Sequence, residues 1–171
     1  DSVLAVFGAD EARENDPERA VRAGLALLDA GHQQGQRVLR QYGHAGFNVR
    51  VGIHTGAVLL GGGVDADGSI RGQAVNIAAR MEQTAPPGAL RISHDTYRLL
   101  RGGFDVAPQE PLLVKGVDRP VRSYLVVRAR PRAFRVATRG IEGVETRMIG
   151  RAAELHTLQE AFKQVVVPGA G

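Results

Sequence analysis

Short β-prone runs alternate with amphipathic segments along residues 1–127, and this alternation constrains the fold more than any other feature of the sequence. A chain that interleaves strands with helices folds as mixed α/β layers, with the helices packed against a sheet. The chain has 171 residues, of which 43% are hydrophobic. That is enough for one ordinary core, so we expect one main domain plus an appendage.

The predicted strands are short runs of apolar and β-branched residues. Residues 3–7 are continuously apolar, and residues 49–53 alternate between apolar and other side chains. Thr55-Gly56 is typical of a break, so residues 57–60 are predicted to complete a hairpin with residues 49–53. Two further strands are predicted at residues 89–93 and 121–127, with a turn at residues 111–116 between them.

Three segments have helical signatures. The first opens with Asp16 as a predicted N-cap and Pro17 at the first helical position, while Gly31 and Gly35 leave open one bent helix or two. A glycine- and aspartate-rich loop, residues 61–72, leads into the second helix. Its apolar positions Ala74, Ile77, Ala78 and Met81 repeat at helical spacing until Pro86-Pro87-Gly88 ends it. Residues 94–103 predict a short third helix ended by glycines.

The absence of cysteine excludes disulfides and thiolate metal sites. No apolar run approaches the roughly 20 residues that a membrane-spanning helix needs, so we expect a cytoplasmic protein without a membrane segment. The chain opens directly into a strand-like run, which suggests that it begins in mid-domain.

The net charge of +4 and the pI near 10.1 raise the possibility of nucleic-acid binding, but the charge is unevenly distributed. Residues 1–127 hold 14 basic and 14 acidic side chains, so the excess lies entirely after residue 127. The main domain is therefore predicted not to bind nucleic acid. Residues 128–145 are arginine-rich without a clear apolar period and are predicted to be a linker; nucleic-acid binding by this stretch is the minor alternative.

The second predicted helix carries a polar stripe. Gln73, Asn76 and Arg80 lie at i, i+3 and i+7, on a different face from the apolar positions. Four residues separate Asn76 from Arg80 by roughly 6 Å along the axis, about the distance from a ribose to the α-phosphate of one nucleotide. A polar pair at this spacing is most often a solvated helix face, so periodicity alone does not identify a site.

Four segments taken together identify a family more specifically than the polar stripe alone. "DSVLAVFGA", "VRVGIHTG", "GQAVNIAARME" and "VKGVDRPVRSYLV" occur in an order and spacing that resemble the later part of a class III nucleotidyl cyclase catalytic domain. The resemblance covers residues 1–127 and implies a ferredoxin-like α/β cyclase fold, present here in part. The implied reaction converts ATP to cyclic AMP and pyrophosphate in a homodimer.

The resemblance implies a role for several residues. Asn76 would position the ribose and Arg80 would stabilise the pentavalent phosphorus, both on a nucleotide held by the other subunit. Asp1 matches one of two metal-binding aspartates, which would hold two Mg²⁺ or Mn²⁺ ions. The strand that carries the other aspartate is not in this sequence, so the chain by itself is expected to be inactive.

Two further positions concern the substrate. Ser69 stands at the family's base-selecting position, where a hydroxyl can bond either purine and favours adenine only weakly. Lys115 matches a lysine that reaches the triphosphate, although an exposed lysine in a turn is the commoner case. His54 has no partner at metal-ligand spacing and is interpreted as structural. Gln73 and the short loop at residues 57–72 depart from the family pattern, which suggests altered dimer contacts.

Residues 146–171, with the segment "TRMIGRAAELHTLQEAF", resemble the start of the ATPase domain that follows cyclase domains in large bacterial regulators. The ordinary alternative is an amphipathic helix after a linker. For the whole chain, the alternative to an enzyme is a cyclase-homology domain that binds nucleotide or dimerises and regulates an attached ATPase without turnover.

Overall fold

The computed structural model describes residues 2–60, 70–100 and 102–130, and in the C-terminal part residues 150, 151, 153, 154, 156–158, 160 and 161. The chain divides into two compact units, residues 1–130 and 131–171. The described residues of the second unit between 153 and 161 are helical, as the spacing of its apolar residues predicted.

The first unit is built from three helices and six strands among its described residues. In chain order they are α1 (Asp16–Tyr42), β1 (Val51–Ile53), β2 (Leu59–Leu60), β3 (Ile70–Arg71), α2 (Gln73–Gln83), β4 (Leu90–Ser93), α3 (His94–Leu99), β5 (Phe104–Leu112) and β6 (Val121–Ala129).

Four strands form one mixed sheet in the order β1-β4-β6-β5. β1 and β4 are parallel, with Val51 opposite Leu90, whereas β6 runs antiparallel to both β4 and β5. β2 and β3 form a separate antiparallel ribbon that ends directly before α2. The predicted α/β class is confirmed.

Successive side chains of a strand point to opposite faces of the sheet, so each face can form a core with a helix. Leu90 and Ile92 on β4 join Val21 of α1 in the larger core, which also contains Leu100, Phe104 and Val126. The second core lies under α2. It consists of Ile77 and Met81 with Val114, and Leu112, Val117 and Val121 pack around it.

α1 is a single helix, so Gly31 and Gly35 do not divide it. Asp16 is its first residue rather than its N-cap, which is Asn15. The Asp16 carboxylate instead accepts a hydrogen bond from the backbone N–H of Arg13, 2.7 Å away. Within the described residues, no helix is long and apolar enough to cross a membrane.

Two predicted strand arrangements are wrong. Residues 3–7 form no strand, and Val3 is 97% exposed, because no described segment offers them a hydrogen-bonding partner. The predicted hairpin between residues 49–53 and 57–60 is also absent. β1 pairs with the distant β4 and β2 pairs with β3, so the break at Thr55-Gly56 redirects the chain to a second sheet.

β5 was not predicted from the sequence. It contains Pro108 and Pro111, which interrupt a strand pattern because proline cannot donate to the ladder. The structure accommodates them because β5 is an edge strand paired only with β6. The register shifts between Gln109 and Leu112, next to the second proline.

α2 lies so close to β1 that one position admits only glycine. A Cβ atom at Gly52 would lie 2.5 Å from the carbonyl oxygen of Ala78 and 2.7 Å from Cα of Glu82, both backbone atoms of α2. Backbone cannot give way as a flexible side chain can, so any larger residue must push the helix outwards.

We expect Gly52→Ala to lower the free energy of unfolding by about 1–3 kcal/mol, because the added methyl group overpacks the contact between α2 and β1. Urea denaturation followed by circular dichroism measures this change. Ala79→Ser adds one atom on the exposed side of the same helix and should change stability by no more than about 0.5 kcal/mol. Equal effects of the two substitutions would contradict the close packing at Gly52.

Candidate functional site

The polar stripe of α2 is exposed, as the helical spacing predicted. Ala74, Ile77 and Met81 are the buried residues of the helix. Asn76 and Arg80 lie one turn apart on its exposed side, and neither side chain hydrogen-bonds to another described residue. Both groups are therefore free to contact a molecule outside this unit.

The turn that carries Lys115 is fixed against the N-terminal half of α2. Val114 and Val117, on either side of the lysine, pack on the apolar face of the helix. The Gln73 side-chain amide donates a hydrogen bond to the carbonyl oxygen of Gly116. Lys115 itself is exposed. Gln73, which departs from the family pattern, thus ties this turn to the helix that carries Asn76 and Arg80.

A buried arginine supports the other end of α2. Arg91, on β4, is only 6% exposed, and its guanidinium donates to the Thr84 carbonyl oxygen at 2.9 Å. It also donates to Ser123 Oγ on β6 and to the carbonyl oxygen of Glu110 on β5. Burial lowers the pKa of Arg91 below its ordinary value, and the positive charge of Arg80 lowers that pKa further.

Sequence reasoning did not identify Arg91. The available signal was its place in the run "ALRIS", where strand alternation puts Arg91 on the face opposite Leu90 and Ile92. In the structure α2 covers that face of the sheet.

His54 belongs to a buried hydrogen-bond network next to β1. Its Nδ1 atom lies 2.8 Å from Ser93 Oγ, and its side chain is 6% exposed. Ser93 Oγ also lies 3.3 Å from Thr96 Oγ1, which in turn lies 3.1 Å from Thr55 Oγ1. These contacts join the end of β1 to the start of α3, in agreement with a structural role for His54.

Two predicted site residues, Asp1 and Ser69, lie outside the described residues, so their metal and base contacts stay predictions. Within the described part of the chain, no three His, Asp or Glu side chains come together in a way that could hold a metal ion. The expected Mg²⁺ or Mn²⁺ ions therefore stay a prediction, which within this sequence depends on Asp1.

The sequence profile of the adenylate and guanylate cyclase catalytic domain matches residues 1–128. The match includes α2, the Lys115 turn and all four strands of the main sheet. The chain belongs to this family. Its sheet and helices accordingly represent the α/β fold of nucleotidyl cyclases.

Solved cyclases share this architecture. The adenylyl cyclase CyaB from P. aeruginosa superposes with a TM-score of 0.67 at 32% sequence identity, over 72% of this chain and 66% of that one. The guanylyl cyclase Cya2 gives a TM-score of 0.66 at 27% identity, over 72% of this chain and 64% of that one. The neighbours thus include enzymes named for either purine nucleotide.

Curated relatives are far longer than this cyclase chain. Guanylate cyclase beta of Plasmodium berghei (strain Anka) is 25% identical over 200 residues, which cover 98% of this chain but 7% of that protein. The chain therefore corresponds to a small part of such a relative.

The burial of His54 predicts a pH dependence of the cyclase domain's stability. Burial lowers the pKa of His54 below its ordinary value of 6.5, although the Asp95 carboxylate opposes this shift. Below pH 6.5 the unfolded imidazole is protonated while the folded one is still neutral, so protons favour unfolding. Stability should fall by about 1.4 kcal/mol per pH unit across that interval.

Urea denaturation of wild type and His54→Gln at a series of pH values, from neutral to mildly acidic, measures this contribution. The variant should lose the part of the slope due to His54, while His44→Gln, at an exposed position, should keep the wild-type slope. A His54→Gln profile parallel to wild type throughout would show that the buried imidazole does not limit acid stability.

Proposed function

We propose that this cyclase domain converts ATP to cyclic AMP and pyrophosphate at the interface of a homodimer. The observation that carries the proposal is the exposure of Asn76 and Arg80 on one face of α2, inside the segment that matches the family. Among the described residues neither side chain has a hydrogen-bonding partner, so both can reach a nucleotide bound outside this unit.

In the proposed reaction the oxygen of the ribose 3′-hydroxyl attacks the α-phosphorus and its proton is released to water. A new bond forms between this oxygen and the α-phosphorus, the bond from the α-phosphorus to the bridging oxygen of the β-phosphate breaks, and pyrophosphate leaves. Arg80 would neutralise charge on the phosphorus as it becomes pentavalent, and the Asn76 amide would orient the ribose. Their separation of roughly 6 Å along the helix axis suits these two parts of one nucleotide.

The outward direction of both groups supports action on a nucleotide held by a partner subunit. Asn76 and Arg80 lie on the side of α2 opposite the residues that pack on their own sheet. A second copy of the chain would supply the other half of the site, and the symmetry of a homodimer would create two such sites.

The preference for ATP is inferred from Ser69, since the relatives include both adenylate and guanylate cyclases. Lys115 is proposed to contact the triphosphate. The hydrogen bond from Gln73 to Gly116 supports this role, because it holds the Lys115 turn beside the helix that carries Asn76. A compact ammonium on a flexible stem suits a phosphate group.

The two metal ions are proposed on Asp1 and an aspartate outside this sequence. Because the described residues form no metal cluster, no step of the reaction is derived through these ions. A cytoplasmic location is proposed from the composition of the sequence, which has no cysteine. The resemblance of residues 146–171 to the start of an ATPase domain also stays a prediction, since the family match ends at residue 128.

We expect Arg80→Ala to lower kcat by about 10³-fold or more, the usual effect of losing an arginine that stabilises phosphoryl transfer. Asn76→Ala should lower kcat by about 10²-fold, as for loss of a preorganised hydrogen-bond donor. Formation of cyclic AMP and cyclic GMP by the natural full-length protein, with ATP or GTP and with Mg²⁺ or Mn²⁺, measures both effects.

The matched control is Arg37→Ala, which removes an exposed arginine from α1 and should leave kcat unchanged. Greater turnover of GTP than of ATP would overturn the assignment of substrate. Absence of wild-type turnover with either nucleotide and either metal would contradict the enzyme and favour the regulatory, nucleotide-binding alternative.

A further inference from the structure

The Arg91 guanidinium is almost entirely enclosed and donates four hydrogen bonds. Its acceptors are the carbonyl oxygens of Thr84 and Glu110 and, twice, the hydroxyl oxygen of Ser123, at distances between 2.8 and 3.1 Å. A cation is costly to bury unless its donors are satisfied, so a simple packing role would be served better by an apolar side chain.

These bonds connect Arg91 to Arg80 through a single residue. The backbone N–H and the side-chain hydroxyl of Thr84 both donate to the carbonyl oxygen of Arg80, at 3.2 and 2.6 Å. The carbonyl oxygen of Thr84 accepts from Arg91 Nη1. Thr84 therefore closes the last turn of α2 on Arg80 and at the same time attaches that turn to the guanidinium.

The opposite side of Arg91 is attached to the sheet. Ser123 lies in β6, opposite Ser93 in the ladder, and Glu110 lies in the edge strand β5. Arg91 thus joins three strands to the end of one helix. A helix end frays readily when its last carbonyl groups have no partner, and here a fixed, planar donor supplies one.

The charge of Arg91 also lies near Arg80. Within the described residues, no carboxylate lies within ion-pair distance of the Arg91 guanidinium, whose partners are carbonyl and hydroxyl oxygens. Burial is the main cause of the lowered pKa of Arg91, and repulsion from the positive charge of Arg80 adds to it. Where two neighbouring cations have no carboxylate partner among the described residues, a negatively charged ligand is favoured at the exposed one.

We propose that Arg91 is a positioning residue for the cyclase reaction, which holds the last turn of α2 so that Arg80 is presented at a fixed place and direction. This inference rests on the proposed function of Arg80. Arg91 itself is buried and does not touch the nucleotide. Lysine cannot replace it, because an ammonium group cannot reproduce the planar fork that reaches α2, β5 and β6 together.

The test compares Arg91→Lys and Arg91→Met with wild type in the natural full-length protein, with turnover expressed per folded enzyme. A positioning role predicts that kcat falls by about tenfold to a hundredfold, the usual result of a small misplacement of a catalytic group. KM should change by less than about threefold, because Arg80 acts in the transition state. Circular dichroism measures the folded fraction used for this normalisation, so a loss of folded protein does not account for the expected fall in kcat.

The matched control is Arg50→Lys. Arg50 also contacts the last turn of α2: it donates to the carbonyl oxygen of Gln83 at 3.3 Å and pairs with the Glu82 carboxylate at 3.4 Å. Unlike Arg91 it is exposed, and its side chain hydrogen-bonds to no strand among the described residues. Its substitution should leave kcat within about twofold of wild type, as for most surface changes. A weaker variant at the same network, Ser123→Ala, keeps Arg91 while removing one acceptor and should give an intermediate loss of kcat.

Hydrogen exchange provides a readout that does not depend on turnover. In Arg91→Lys, the amide of Thr84 should exchange at least about tenfold faster, while amides in β4 and β6 keep their protection. Unchanged exchange at Thr84 and unchanged kcat per folded enzyme would overturn the proposal. If Thr84 exchanges faster in Arg91→Lys but the wild-type protein has no turnover, the coupling between Arg91 and α2 is retained. The proposed function is then what fails.

Discussion

The contact between the backbone of α2 and Gly52 on β1 determines where the candidate site lies. It leaves no space for a side chain, so the helix has one depth at which it can lie against the sheet. At that depth Ile77 and Met81 are buried, and the opposite side of the helix, with Asn76 and Arg80, is directed outwards. The exposure of the proposed catalytic pair thus follows from a packing constraint.

Two hydrogen-bonded connections then fix the ends of the same helix. At its start, Gln73 binds the turn that carries Lys115, and at its end Thr84 binds the buried Arg91. The first connection holds the Lys115 turn beside the start of α2, and the second holds the turn that carries Arg80. The main chain of α2 is therefore constrained in depth by Gly52 and at both ends by hydrogen bonds, a preorganisation that electrostatic catalysis requires.

Local patterns predicted the parts of the fold that depend on local physics. The spacing of Ala74, Ile77 and Met81 predicted both α2 and the direction of its polar face. The pairing of strands was predicted less well, because partners are chosen by contacts far apart in the chain. β1 therefore pairs with β4 rather than with the nearby residues 57–60, and the proline-containing edge strand β5 was missed.

The candidate site shows the same division between local and distant causes. Asn76, Arg80 and Lys115 were identified by resemblance between short segments, and the structure describes all three. Arg91 was missed, because its burial results from α2, β5 and β6 meeting over one side chain. The alternation of its strand indicates only the face of the sheet on which Arg91 lies, and not that the face is covered.

Arg80 of one subunit is proposed to act on a nucleotide in the half-site that contains Asp1 of the other subunit, and mixing two inactive variants tests this most directly. The two variants, Arg80→Ala and Asp1→Asn, are made in the natural full-length protein and co-expressed in equal amounts. The mixture should regain cyclase activity, because each heterodimer contains one intact site. Random pairing of equal subunits predicts about a quarter of wild-type turnover. A mixture as inactive as the separate variants, in dimers shown to have exchanged subunits, would contradict catalysis across the interface.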